Sequence, residues 1–157
     1  MRWKLSLVIF VACLANAEIP GNFGNLPLRF ERASDATGHA KFVTRGNEYA
    51  LVLTDSGAIL QSPSGTVRMR MVGGNPMASI SPREPLPGVA NYLIGNDASK
   101  WRTGVAGFAR VEYRGIYPSI DLVCYGKEGH LEYDFAIAPG ADPRKVRIVF
   151  DGAAGLA

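Results

Sequence analysis

From Leu28 onward the apolar and polar residues alternate with a period of two over short runs. In Leu131–Ile137, Leu131, Tyr133, Phe135 and Ile137 point one way and Glu132, Asp134 and Ala136 the other, which is the pattern of a half-buried strand. Ala109, Val111 and Tyr113 share one face, with Arg110, Glu112 and Arg114 on the other. Ile120–Tyr125 is apolar at nearly every position after Asp121, as a strand covered on both faces would be. The gap Gly126–His130 carries two glycines and predicts a hairpin loop. These runs form a β-meander that supplies the core sheet.

The earlier half reads the same way. Leu28–Glu31, Lys41–Thr44, Tyr49–Thr54 and Ala58–Gln61 predict short strands, separated by turns at Arg45–Asn47 and Asp55–Gly57. After a turn at Ser62–Gly65, Val67–Val72 alternates with Val67, Met69 and Met71 inward. Val146, Ile148 and Phe150 predict a last strand. Gly73–Val89 holds Pro76, Pro82, Pro85 and Pro87 and predicts a long connection, because proline removes a ladder donor and fixes φ. Gly95–Gly107 predicts another loop, and Gly115–Ser119 a tight turn around Tyr117. Eighteen Gly and ten Pro agree with many turns and little helix. The expected fold is all-β, a two-sheet β-sandwich of about nine short antiparallel strands.

The first residues stand apart. Arg2 and Lys4 precede an apolar run, Leu5–Leu14, and Ala15-Asn16-Ala17 has the small-x-small form of a cleavage site. Residues 1–17 therefore predict an export signal cut between Ala17 and Glu18, followed by a flexible leader over 18–27 and a β-domain over 28–157. The apolar run is shorter than the roughly 20 residues of a transmembrane helix. Val11-Ala12-Cys13 also resembles the end of a lipoprotein box, which leaves lipidation of Cys13 as an alternative. Loss of Arg2 and Lys4 takes the formal charge from +3 to about +1, so no basic excess points to nucleic acid. Cys124 then stands alone in the most apolar strand and reads as a buried small hydrophobe. The sequence ends in Asp151-Gly152-Ala153-Ala154-Gly155-Leu156-Ala157 without a closing element, which predicts a chain cut inside or just after its first domain.

Several runs carry a resemblance: Asn91-Tyr92-Leu93-Ile94-Gly95-Asn96-Asp97, Lys100-Trp101-Arg102-Thr103, Tyr113-Arg114-Gly115-Ile116-Tyr117-Pro118, Ile120-Asp121-Leu122-Val123, Leu131-Glu132-Tyr133-Asp134-Phe135 and Pro139-Gly140-Ala141-Asp142-Pro143. Together they resemble the uncharacterised β-rich domain that precedes SBBP-type β-propeller repeats in bacterial exported and surface proteins. The resemblance implies a secreted or cell-surface location and, as partner, downstream repeats of the same polypeptide. It implies architecture and place, not a reaction. The chain departs from it at Arg32-Ala33-Ser34-Asp35, where that family has Asn-Arg-Gly-Gln.

Candidate chemistry is sparse. His39 and His130 lie far apart and outside any zinc-type spacing. Glu132 and Asp134 share a strand face about 7 Å apart, within the roughly 5–9.5 Å that hydrolytic carboxylate pairs span. With Asp121 on the preceding strand they form a candidate set for Ca²⁺ or, failing that, for hydrolysis; the alternative is cross-strand pairing with Arg110 and Arg114. Trp101, Tyr117 and Tyr92 form a candidate sugar platform, against which stand Trp101 as a plug at the open end of the core and Tyr117 packed on that core. No other cofactor is expected. The leading expectation is a non-catalytic structural or adhesion module that caps or presents downstream propeller repeats, with surface glycan or protein as further partners. Secreted carbohydrate binding and a Glu132/Asp134 hydrolase are the alternatives.

Overall fold

The computed structural model describes residues 3–7, 28–34, 38–46, 49–127 and 130–152, with residues 3–7 as backbone only. Strands β1 (Trp3–Leu7), β2 (Glu31–Arg32), β3 (Ala40–Arg45), β4 (Ala50–Thr54), β5 (Gly57–Ser62) and β6 (Gly65–Met71) make up the first half. They are followed by β7 (Ser79–Tyr92), β8 (Arg102–Tyr117), β9 (Ile120–Lys127), β10 (His130–Ile137) and β11 (Ile148–Asp151). The only helical backbone among the described residues is two single 3-10 turns, Ala98–Lys100 and Pro143–Lys145. The expected all-β, two-sheet architecture is present. One antiparallel sheet runs β1-β10-β9-β8-β7, and the other runs β11-β6-β5-β4-β3-β2.

Alternation explains how the two faces meet. Phe42, Leu51, Leu53, Met69 and Met71 of the six-stranded sheet are buried against Val111, Tyr113, Leu122, Cys124 and Phe135 of the five-stranded one. Burying a large apolar side chain contributes about 1.5–3 kcal/mol, so this layer is the main stabilising term. Tyr113 crosses the layer, and its hydroxyl donates to Thr54 O (2.9 Å). The inward positions read from Val67–Val72 and Leu131–Ile137 are those found, with Met69, Met71, Tyr133 and Phe135 all buried.

Several boundaries differ from expectation: the strand expected at Leu28–Glu31 is only Glu31–Arg32, because Phe30 bridges to the other sheet, and three larger differences follow. The proline-rich stretch is not a connection: Pro82, Pro85 and Pro87 lie within β7, a strand of 14 residues. β7 is the edge of its sheet and pairs only with β8, and an edge tolerates residues that cannot donate to a ladder. The strand accommodates them with irregular backbone: Glu84 has φ 54°, and the register shifts between Pro85 and Val89. Likewise β8 begins at Arg102 rather than near Ala109 and runs for 16 residues. Finally, Val146 lies between the turn Pro143–Lys145 and β11, so the last strand is shorter than expected.

Two features set up the site. The first is the corner made by residues 28–32. Phe30 exchanges backbone hydrogen bonds with Phe108 of β8 (2.9 and 2.8 Å), while β2, the next two residues, pairs with β3 in the other sheet. One short segment thus ties the sheets together. The second is the outer half of the β7–β8 hairpin. The β8–β9 pairing reaches Arg110 at this end of β8, so residues 88–106 continue as a two-stranded ribbon.

β1 pairs with β10 from Trp3↔Ile137 to Leu7↔Tyr133. The proposed cleavage site at Ala17 and Glu18, the leader and Cys13 lie outside the described residues.

Candidate functional site

The corner places Arg29 and Glu31 on either side of Phe30, against the β7–β8 ribbon. Glu31 is buried, at 3% exposure. Both carboxylate oxygens face the Tyr92 hydroxyl, at 2.9 and 2.8 Å. Arg29 Nε approaches Oε1 at 3.2 Å, and its Nη2 donates to Val105 O at 2.8 Å. Gly107 makes this possible, because a Cβ there would collide with the Arg29 guanidinium. A buried carboxylate is costly without donors, and here a guanidinium and a phenol supply them.

Tyr92 stands directly opposite Arg102 in the β7–β8 register. The Arg102 guanidinium lies 5.5 Å from the Tyr92 ring centroid, and that of Arg45, at the end of β3, lies 5.9 Å away. Both distances are cation–π range. The Tyr92 hydroxyl is pushed above its ordinary pKa, first by desolvation and then by the hydrogen bond and charge of Glu31, with the two arginines opposing. It stays a neutral donor. Three arginines therefore surround one carboxylate and one phenol.

Beyond this cluster the hairpin closes through residues 93–101. Asp97 caps the Ala98–Lys100 turn, accepting from Ser99 N (3.1 Å) and Ser99 Oγ (2.7 Å). The Trp101 indole N–H donates to Gly95 O at 3.0 Å, which fixes the ring. Val89, Leu93, Ile94 and Trp101 remain 59%, 58%, 77% and 38% exposed. All four lie on this one ribbon, and exposed apolar groups that gather at a surface mark interaction sites.

Register also locates the end of the molecule that this ribbon occupies. Arg45 pairs with Ala50, Ala50 with Gln61, and Gln61 with Thr66. Gly152, just past β11, lies against Thr66 O. The chain therefore leaves β11 at the same end of the sandwich as Arg45 and the Tyr92 cluster.

The expected site residues fall in different places. Of the proposed aromatic platform, Tyr117 is buried (3% exposed) and its hydroxyl donates to Arg147 O at 2.9 Å. That removes it from any surface, because the turn after β8 folds its ring into the core. Tyr92 is half-buried and engaged as described, and Trp101 alone keeps a substantially open face. Asp121, Glu132 and Asp134 sit opposite Ala136, Tyr125 and Val123. Asp121 Oδ1 accepts the Gly115 N–H at 2.8 Å. Glu132 lies 4.0 Å from Lys127, and Asp134 Oδ1 is buried without a hydrogen-bond partner.

The Tyr125 hydroxyl contacts both Glu132 and Asp134. Its pKa is pushed up to about 12, first by desolvation and then by these carboxylates. The expected arginine partners are committed elsewhere, Arg110 to Glu84 (3.0 Å) and Arg114 to Glu112 (3.3 Å). Among the described residues no group of three or more His, Cys, Asp or Glu is placed to hold a metal. An open groove of about 450 Å³, lined in part by Arg32, Lys41, Phe42, Asp55 and Ile80, contains none of the three carboxylates. Cys124 is buried and its thiol is pushed up to about 12 by desolvation, so it is no thiolate at neutral pH. His39 is exposed, and the His130 side chain lies outside the described residues.

The Glu31–Arg29–Tyr92 network was missed by pattern reading. Its only sequence signal is an Arg-Phe-Glu run whose charged residues flank a core Phe.

No curated protein and no solved structure matches this chain. A family model described as a domain of unknown function, DUF7948, matches residues 30–157, from the Phe30 corner onward, and the chain belongs to that family.

Proposed function

We propose that this chain is a non-catalytic interaction module of an exported bacterial surface protein, and that it packs against repeats following it in the same polypeptide. One observation carries the reading. The ribbon bearing Val89, Leu93, Ile94 and Trp101 occupies the end of the sandwich from which the chain leaves β11 at Gly152. An apolar ribbon beside the exit is well placed to cover the first unit of a repeat array, whose terminal face needs capping. Against catalysis, Asp121 is committed to a backbone amide, and Glu132 and Asp134 lie on the outer face of a sheet rather than in the groove.

Amide hydrogen exchange tests the docking. In a polypeptide extended by its downstream repeats, amides 93–101 should exchange at least about tenfold more slowly than in the 157-residue chain. Equal exchange in both would remove the reading. Export is tested separately by the intact mass of the protein recovered from the medium or cell surface, which should begin at Glu18. A chain that keeps Met1 would be evidence against a cleaved signal.

A further inference from the structure

We propose that Arg45 and Arg102, each within 6 Å of the Tyr92 ring, form a binding site for an oxyanion, a carboxylate or sulfate carried by an acidic ligand. The proposal stands apart from docking to downstream repeats. It starts from charge distribution. Arg29 is committed to Glu31 and Val105 O. Neither the Arg45 nor the Arg102 guanidinium forms an ion pair or hydrogen bond with a described residue, yet both lie within 6 Å of the same ring. Arginine keeps its charge at any physiological pH, and its planar fork of donors matches the two oxygens of a carboxylate or sulfate.

Most exposed arginines are only solvated, and their contacts contribute little. These two differ because their common support is fixed. Tyr92 is held by a carboxylate that is itself buried, and it faces Arg102 across a strand pair. A ring held in place narrows the positions that both cations can take before a ligand arrives, which lowers the cost of binding. Among the described residues Glu31 is the one carboxylate at this cluster, and the phenol adds no second negative charge because its proton is committed to Glu31. An incoming oxyanion would accept from these two forks.

Calorimetry at low salt with the 157-residue chain tests this, using galacturonic acid trisaccharide, inorganic sulfate and neutral maltotriose as probes. Galacturonate should bind, and Arg45→Gln and Arg102→Gln should each weaken it by about tenfold. Raising ionic strength should weaken it further. Lys145→Gln removes one charge at the opposite end of the sandwich, just before β11, and should leave binding unchanged. Binding of galacturonate alone supports a site for acidic saccharides. Sulfate binding with the same losses supports a general oxyanion site. The proposal is overturned if neither anion binds, if maltotriose binds as well as galacturonate, or if Lys145→Gln costs as much as the arginine variants. Melting temperatures of the variants exclude misfolding, and Arg102→Gln decides the outcome if Arg45→Gln does not fold.

Discussion

Phe30→Ala should lower the free energy of unfolding by about 4 kcal/mol, measured as a fall in the urea midpoint at unchanged slope. The size follows from position. Phe30 has no exposed surface, so truncation removes the whole transfer contribution and leaves a cavity that rigid sheets fill poorly. The site is also where the two sheets are joined. The backbone of residue 30 is bonded in both directions to Phe108, and the next residue starts β2, which belongs to the other sheet. Phe108→Ala supplies the comparison, since its ring packs against the core only in part and should cost distinctly less. A loss below about 1 kcal/mol for Phe30→Ala would mean that residues 28–32 do not close the sandwich as described.

Much of this fold was legible because a strand writes its two faces into every second residue. Met69, Val111, Tyr133 and Phe135 needed nothing beyond that period to be placed inside. The misreadings share a cause. Pro82, Pro85 and Pro87 forbid a central strand but not an edge one, and local pattern does not say which strand will be the edge. β8 was cut short because Gly104 and Gly107 look like loop residues. Gly107 is in fact the gap that admits Arg29, a residue 78 positions away.

The candidate site was the least legible part for the same reason. Tyr92 reads as a surface aromatic, and nothing near it in sequence announces Glu31 or Arg45. Those partners arrive by the corner at Phe30 and by the register of β3, both set by long-range pairing. The carboxylates Glu132 and Asp134 show the converse: a two-residue spacing fixed their face correctly but could not show that Arg110 and Arg114 would turn to Glu84 and Glu112.

Glu31→Ala should destabilise the chain by about 3 kcal/mol and loosen the ribbon more than the core. Removing the carboxylate leaves the Tyr92 hydroxyl without its acceptor and the Arg29 guanidinium, 27% exposed, without its anion. It also leaves Arg29 beside the Tyr92 hydroxyl's former acceptor position and Arg45 and Arg102 against the Tyr92 ring, with the Glu31 charge gone. Tyr92→Phe removes only the phenol's share and should cost about 1.5 kcal/mol. Part of the Glu31→Ala loss is repulsion between arginines, so added salt should recover some of it, while the Tyr92→Phe loss should not respond. Exchange of amides 93–101 should quicken in Glu31→Ala, because Tyr92 and Val105 anchor the ribbon through this network.

A buried ion pair can also be energetically neutral against apolar replacements of similar size. The double variant Arg29→Met with Glu31→Leu separates the cases. If it is about as stable as the parent while Glu31→Ala alone is not, the pair serves to position the ribbon rather than to stabilise the sandwich. In that case faster exchange at 93–101 should persist in the double variant, with the melting temperature restored. If the single variant is itself neutral, Glu31 does not hold Tyr92 in solution, and the fixed support beneath Arg45 and Arg102 is lost with it.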